Sequence, residues 1–236
     1  MAKVFGYECR RLLGRWVFWG LAAVTLWFSW QSLTNAVIWG ISNTAPFSPW
    51  SYGYFLAKAL PFLCAVELFF VSFYISKNAR DTSILIDATP VRRYKYVSVC
   101  CGAIASGITL LTICLLGMWS GYFGVLFGVI NISQLLTMPV LVLAPALILA
   151  LGAGWFFGHY HPAFVYGLIA VFFITAYLPL PYWADPFGDK FFSQFPLMIG
   201  TIDPELQVPS LFMWSRIVIA AVGVLLFFLG VRRKRR

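Results

Sequence analysis

The sequence predicts an all-α polytopic membrane protein, and three observations lead to that fold class. Of the 236 residues, 61% are hydrophobic and only 11% are charged, a composition outside the range of soluble domains. The apolar residues fall in runs of about 20, the length that crosses a bilayer core. The basic residues stand beside these runs, as in cytoplasmic membrane flanks. The net charge of +9 therefore indicates membrane topology rather than nucleic acid binding.

Residues 1–15 predict an amphipathic helix at the membrane interface, because apolar side chains alternate with Lys3, Arg10, Arg11 and Arg15. The alternative is the charged start of a signal peptide. It is disfavoured because the following apolar run is long, is rich in Trp and Phe and lacks a small-residue cleavage site. We expect this helix to be retained.

Six spans are predicted from the apolar runs. Pro61, Pro139 and Pro145 lie within two of them, where neighbouring helices tolerate proline. The third run is long enough to be tilted or to break near its glycines, and the alternative is that it hides two spans. The spans cover residues 16–38, 52–75, 97–127, 135–157, 163–178 and 211–231.

The basic residues assign a side to each loop. Four precede the first span, five lie in residues 77–96 and five form the tail 232–236, whereas the opposite loops hold Lys190 and little else. By the positive-inside rule, both termini and residues 77–96 are cytoplasmic. This requires an even number of spans, and six fits.

Residues 77–96 form the one long polar stretch that also predicts a helix. Asp81 and Thr82 can cap a short helix carrying Leu85, and Pro90 ends it by biasing Thr89 away from helical geometry. We expect a two-turn helix at the cytoplasmic surface that passes motion from a soluble motor to the membrane segments.

Residues 179–209 form the longest interruption on the opposite side. Four acids, Asp185, Asp189, Asp203 and Glu205, are mixed there with many phenylalanines. Such a segment is too apolar for free solvent, so we expect it to be partly re-entrant or packed on the outer face.

No motif in the chain supplies a catalytic site. There is no P-loop, zinc-protease or nucleophile-elbow pattern. The five cysteines have no C-x-x-C spacing and read as core residues. His159 and His161 have no third ligand nearby in sequence, so a polar turn is favoured over a metal site. We therefore predict no catalytic residue, cofactor or metal in this chain.

Glu67 is the acid placed well inside an apolar run. An ionisable group there is a functional candidate, because a charged, unpaired group in lipid is expensive. The alternative, equally weighted, is a structural hydrogen bond or a hydrated position. Lys58 and Arg216 lie nearer span ends, where long side chains are expected to reach the interface.

The layout resembles the permease subunit of an ABC-2 type transporter. In that family the loop between spans two and three carries an acid and a threonine, an apolar turn, then a proline followed by small and basic residues and an aromatic. The same order is found here, although Tyr96, Val97 and Ser98 stand where a Gly-Lys pair often follows the aromatic. The matching residues are Arg80, Asp81, Thr82, Leu85, Thr89, Pro90, Val91, Arg92, Arg93 and Tyr94.

The resemblance implies a dimer of permeases in the cell membrane, with an identical or a sister chain. Separate P-loop ATPase subunits would bind ATP and Mg²⁺ and drive export. Residues 77–96 would be the coupling helix and residues 1–15 the connecting helix. The abundant aromatics favour an amphipathic peptide, a lipid-linked molecule or a drug-like cargo.

Two other functions stay open. One is a stand-alone ion-coupled carrier with Glu67 as its proton site, although no internal repeat of the kind common in such carriers is evident. The other is a non-transporting membrane scaffold or sensor subunit.

Overall fold

The computed structural model describes residues 2–76, 93–128 and 132–232, apart from the side chains of residues 93–94 and 132–135. Within these ranges the chain is helical and contains no strand. A 3-10 turn, Val37–Trp39, follows the second helix. The α-helices in the described part of the chain are α1 (Ala2–Leu13), α2 (Trp16–Asn35), α3 (Pro49–Ile75), α4 (Arg93–Phe127), α5 (Ile132–Tyr160), α6 (Ala163–Tyr177), α7 (Asp189–Ile199) and α8 (Ser210–Arg232).

Helix α3 is the centre of the bundle, and α2, α4, α5, α6 and α7 all pack against it. Ser48 caps its start by accepting a hydrogen bond from the Ser51 amide, and Pro49 occupies the first turn, a position that suits proline. Its most apolar 18-residue window is 78% buried, against 17% for α8. An apolar helix surrounded on all sides is a core element, and the buried acid Glu67 lies on it.

Helices α5 and α8 run side by side at a distance that only glycine allows. A Cβ on Gly152 would lie 1.9 Å from the Gly223 carbonyl oxygen, and one on Gly223 would lie 2.6 Å from the Ile148 carbonyl oxygen. Near the end of the pair, Gly230 lies against Phe156. Small residues that permit close backbone approach are typical of helix contacts in membranes.

Helix α1 and the end of α8 lie at the same end of the bundle. Gly158, near the end of α5, packs on Ile75 at the end of α3, and Gly230 packs on Phe156. Helix α1 reaches the same end, because Glu8 contacts Tyr74. We call this the inner end and the opposite one the outer end. At the outer end the Asp203 amide donates to the Asn43 carbonyl, and Phe47 lies against Phe127.

The helices are those of a membrane-embedded protein. Four of them, α3, α4, α5 and α8, are long and apolar enough to cross a bilayer, and a fifth crossing is possible if α1 and the following helix, bent by 64°, count as one. Helix α6 is apolar but has only 15 residues. Exposed tryptophans such as Trp16 and Trp39 stand at helix ends, where aromatic belts occur.

Several sequence expectations can be compared with these helices. The long third run is one continuous helix, α4, so the alternative of two hidden spans is wrong, as is a break at its glycines. The internal prolines Pro61, Pro139 and Pro145 do lie within helices. Residues 179–209 contain a helix, α7, which the sequence reading did not foresee as an element.

Candidate functional site

The predicted coupling helix lies mainly outside the described residues. Arg80, Asp81, Thr82, Leu85, Thr89, Pro90, Val91 and Arg92 all fall in the range 77–92. Arg93 and Tyr94 begin α4, but their side chains are also outside the description. What the structure describes are the two flanks of this segment, namely the end of α3 and the start of α4.

A buried carboxylate joins these two flanks. Glu8 of α1 is 3% exposed. Tyr74, near the end of α3, donates its hydroxyl to Glu8 Oε2 at 3.2 Å. Tyr96, near the start of α4, donates to Oε1 at 3.4 Å. Arg11 places Nη2 3.0 Å from Oε2. One side chain of α1 thus holds both helices that border residues 77–92.

Packing around Glu8 fixes α1 in this position. Gly102 and Gly107 of α4 lie against Phe5 and Leu13 of α1, the first with an ideal Cβ only 3.2 Å from the Phe5 ring. The Arg11 guanidinium lies 5.1 Å from the Tyr74 ring centroid, a cation–π distance. Contacts of both kinds join α1 to α3 and α4.

The sequence reading missed Glu8. It considered only the apolar and basic residues of α1 and predicted an amphipathic helix at the membrane interface. The available signal was that Glu8 is the only acid among the first 66 residues and stands three residues before Arg11, the spacing of a helical ion pair. Its tyrosine partners lie 66 and 88 residues away, so no local pattern could name them.

Glu67 is buried in the middle of α3, as its apolar surroundings predicted. It is 5% exposed, and within the described part of the chain its Oε2 atom has no hydrogen-bond partner. An unpartnered buried oxygen does not fit the alternative of a fully satisfied structural hydrogen bond at that atom.

At the outer end, α7 packs on α3 through aromatic rings. Phe191 and Phe192 are fully buried. The Phe192 ring occupies the space beside Gly53, where a Cβ would lie 2.2 Å from it. Trp50 contacts both rings and donates its indole N–H to the Pro204 carbonyl at 2.8 Å. The outer segment is therefore packed against the bundle.

Arg216 anchors the start of this segment. It is 3% exposed, so the expectation that it reaches the interface is wrong. Its Nη1 donates to the Pro186 carbonyl at 2.6 Å and its Nη2 to the Asp185 carbonyl at 2.5 Å. The guanidinium also lies 4.3 Å from the Phe212 ring centroid. The segment folds back onto α8 and supplies Arg216 with hydrogen-bond acceptors, which lipid tails do not offer.

Asp185 and Asp189 organise the turn into α7. Asp185 accepts the amide N–H groups of Phe187 at 2.9 Å and Lys190 at 2.8 Å. Asp189 is shared by two ammonium groups: Lys58 Nζ lies 3.2 Å from Oδ1, and Lys190 Nζ lies 3.2 Å from Oδ2. Lys58 of α3 therefore forms an ion pair with Asp189 of α7, whereas the sequence predicted that Lys58 would extend to the membrane interface.

A cavity of about 300 Å³ lies between α2, α3 and α6, and Lys58 and Asp189 form part of its wall. Its outer part is polar, with Gln31, Asn35 and Lys58 in the wall. Its deep end is aromatic: Phe28 stacks on Phe62 at 4.2 Å, and Phe62 meets Phe173 edge-on at 5.1 Å. A space with one polar and one apolar end suits an amphipathic molecule.

Metal and redox sites have no support in the described ranges. No three His, Cys, Asp or Glu side chains there lie close enough to hold a metal ion. The cysteines are free thiols. His159 Nδ1 lies 2.6 Å from the Trp155 carbonyl oxygen, and His161 Nδ1 accepts the Ala163 amide at 3.2 Å. Both histidines thus take part in the turn between α5 and α6.

Comparison with protein families, with curated proteins and with solved structures finds no match for this chain.

Proposed function

We propose that this chain is the membrane subunit of an ATP-driven exporter of the ABC-2 type, powered by separate ATPase subunits. The supporting observation is the Glu8 cluster. Glu8 receives hydrogen bonds from Tyr74 and Tyr96, which flank residues 77–92. An ATPase that moved those residues would move α1, α3 and α4 together.

In this proposal six helices cross the membrane: α2, α3, α4, α5, α6 and α8. Helix α6, with 15 residues, is about 22 Å long at 1.5 Å per residue, and a short span is accommodated by local bilayer thinning. Helix α1 lies on the cytoplasmic surface as the connecting helix. Both termini are cytoplasmic, in line with the basic residues at the inner end. Residues 179–209 form the partly re-entrant outer segment.

Residues 77–96 are the coupling helix in this mechanism. ATP closes the ATPase dimer, the docked coupling helices follow, and two arrangements of the permease exchange populations. ATP and Mg²⁺ bind in the ATPase. A second permease, identical or a sister chain, completes the pathway for an amphipathic peptide, lipid-linked or drug-like cargo.

The first test is capture of the tagged chain from gently solubilised native membranes, with mass identification and an ATPase assay of the captured proteins. We expect a P-loop ATPase to co-purify with measurable hydrolysis. A chain that is captured alone, without nucleotide hydrolysis, would contradict the proposal.

A second test addresses the coupling residues in the reconstituted complex. Asp81, Leu85 and Arg92 are replaced singly by alanine, and Glu205→Ala, an exposed acid in the outer segment, is the matched control. We expect the three variants to lose ATPase stimulation or complex formation while the control keeps both. If all three variants keep ATPase stimulation and complex formation, the coupling role is contradicted.

A proton-coupled carrier is the second candidate, and the unpartnered oxygen of buried Glu67 favours it. Such a carrier would work as a single chain and would bind a proton at Glu67 during transport. Its test is uptake by the purified chain in vesicles under an imposed pH gradient. Transport that Glu67→Gln abolishes would support this candidate, and transport that persists in the variant would reject it.

A further inference from the structure

The cavity between α2, α3 and α6 has a wall that favours an anion at its outer end. Lys58 and Asp189 both line it. Asp189 also pairs with Lys190, which lies outside the cavity wall, so Asp189 neutralises the Lys58 ammonium only in part. An ammonium has three N–H donors, and the Lys58 ammonium uses part of them for Asp189. Its remaining donors and positive charge can bind one anionic group.

The apolar end of the cavity favours a chain rather than a small soluble ion. The Phe28, Phe62 and Phe173 rings close it about two helical turns below the polar end of α2. Inorganic anions gain nothing from aromatic carbon, whereas an aliphatic chain makes dispersion contacts with the three rings and fills the apolar end. The two ends together select for an amphiphile.

The cavity also opens to the outside of the bundle. Tyr177 lines it and is 78% exposed, and Asn35, on the opposite wall, is exposed as well. A volume of about 300 Å³ is at the small end of ligand pockets. It holds a head group and the first part of one chain, and the remainder can leave between α2 and α6.

We propose that this cavity binds an amphiphile with an anionic head group, a carboxylate or a phosphate on an aliphatic chain. The head group contacts the Lys58 ammonium, and the chain lies on the three phenylalanines. Binding to the chain alone does not require an ATPase. The further statement that the bound molecule is exported cargo rests on the proposed function.

The experiment uses the full chain in nanodiscs of phosphatidylcholine and a palmitic acid analogue that carries a photoreactive diazirine. After illumination, labelled peptides are located by mass spectrometry, and competitors are added in excess. We expect labelling in α2, α3 and α6 that laurate and dodecyl phosphate displace. Dodecanol, dodecyltrimethylammonium and inorganic phosphate should displace it at least tenfold less effectively.

Variants test the charge of Lys58 and the volume of the cavity separately. Lys58→Gln should weaken competition by laurate roughly tenfold, the scale of one charge-assisted hydrogen bond, and Lys58→Arg should restore it. Lys190 still pairs with Asp189 in the first variant, so the fold keeps that contact. Ala176→Phe fills the wall of the cavity without changing charge and should abolish labelling. Lys3→Gln, an exposed cation on α1, is the control and should change nothing.

Three results would overturn the proposal. Equal displacement by dodecanol would mean a purely apolar groove. Displacement by inorganic phosphate as effective as by dodecyl phosphate would mean a soluble-anion site. Unchanged labelling in Ala176→Phe would place the label elsewhere. Binding that survives while the captured chain shows no ATPase would leave the site intact and reject only its role in export.

Discussion

The two ends of α3 carry polar clusters that are built differently. At the outer end, Arg216 donates to two backbone carbonyls and is surrounded by the buried rings of α7 and α8. At the inner end, Glu8 is held by three side chains and no backbone group among the described residues. Backbone acceptors are fixed by the chain path, whereas tyrosine and arginine partners can rotate away.

This difference indicates which end is rigid and which can rearrange. The outer cluster ties residues 185–199 to α3 and α8 through packing that a small movement would break. The inner cluster connects α1, α3 and α4 through hydrogen bonds that can re-form with water at modest free-energy change. A transporter driven from its cytoplasmic side would need the adjustable cluster at the inner end.

Arg216→Met should cause the largest loss of stability. The variant keeps an unbranched side chain but leaves the carbonyls of Asp185 and Pro186 without their donors, which we expect to lower the free energy of unfolding by about 3 kcal/mol. Unfolding of the chain in mixed micelles with increasing dodecyl sulfate measures this. Arg232→Met, on the exposed end of the same helix, is the control, and equal losses in both variants would contradict a rigid outer anchor.

Gly53→Ala tests the packing at the same end. The new methyl group would lie within 2.2 Å of the Phe192 ring, so α7 must shift, at a cost of about 2 kcal/mol for overpacking. The matched change is Gly117→Ala in α4, where nothing lies within 4 Å of the added carbon. That variant should gain up to about 1 kcal/mol from helix propensity. A Gly53→Ala chain as stable as Gly117→Ala would show that α7 is loosely attached.

The sequence predicted the helices well because their signal is local. The apolar runs coincide with α2, α3, α4, α5, α6 and α8, and the mix of apolar and basic side chains in residues 1–15 predicted α1. Of the six predicted spans, four correspond to helices long and apolar enough to cross a membrane, or five if the bent pair of α1 and the following helix counts as one. The same reasoning failed for α7, because this helix has only 11 residues and contains Pro196, which made the segment look like an interruption rather than a helix.

The sequence alone could not predict which residues contact each other across the bundle. Arg216 and Asp185 are 31 residues apart, and Lys58 and Asp189 are 131 apart. The rule that long cations reach the interface is a sound default for a lone side chain. It failed here because the outer segment folds back and brings acceptors to the cations. Glu67 needed no partner to be found, since an acid within an apolar run is visible by itself.

Glu8→Gln tests the inner end and should affect stability less than the outer variants. Glutamine keeps one acceptor oxygen for a tyrosine but loses the ion pair with Arg11, so we expect a loss of about 1 kcal/mol. If the proposed coupling holds, ATPase stimulation in the reconstituted complex should fall several-fold despite this small change. Arg10→Gln, an exposed neighbour on α1, should leave both quantities unchanged. A loss of stability equal to that of Arg216→Met would contradict the difference in rigidity between the inner and the outer cluster.

Tyr96→Phe should have the smallest effect, because its hydrogen bond to Glu8 is longer than that of Tyr74, 3.4 Å against 3.2 Å, and its residue is only half-buried. We expect a loss below about 0.5 kcal/mol for this variant and about 1 kcal/mol for Tyr74→Phe. A double-mutant cycle with Glu8→Gln then separates the two bonds, since a coupling energy isolates a pair from other effects of each change. A cluster that acts as one unit gives nonadditive losses for both tyrosines. Additive losses at both would mean that α3 and α4 are held independently, and motion at residues 77–92 would then have no shared connection to α1.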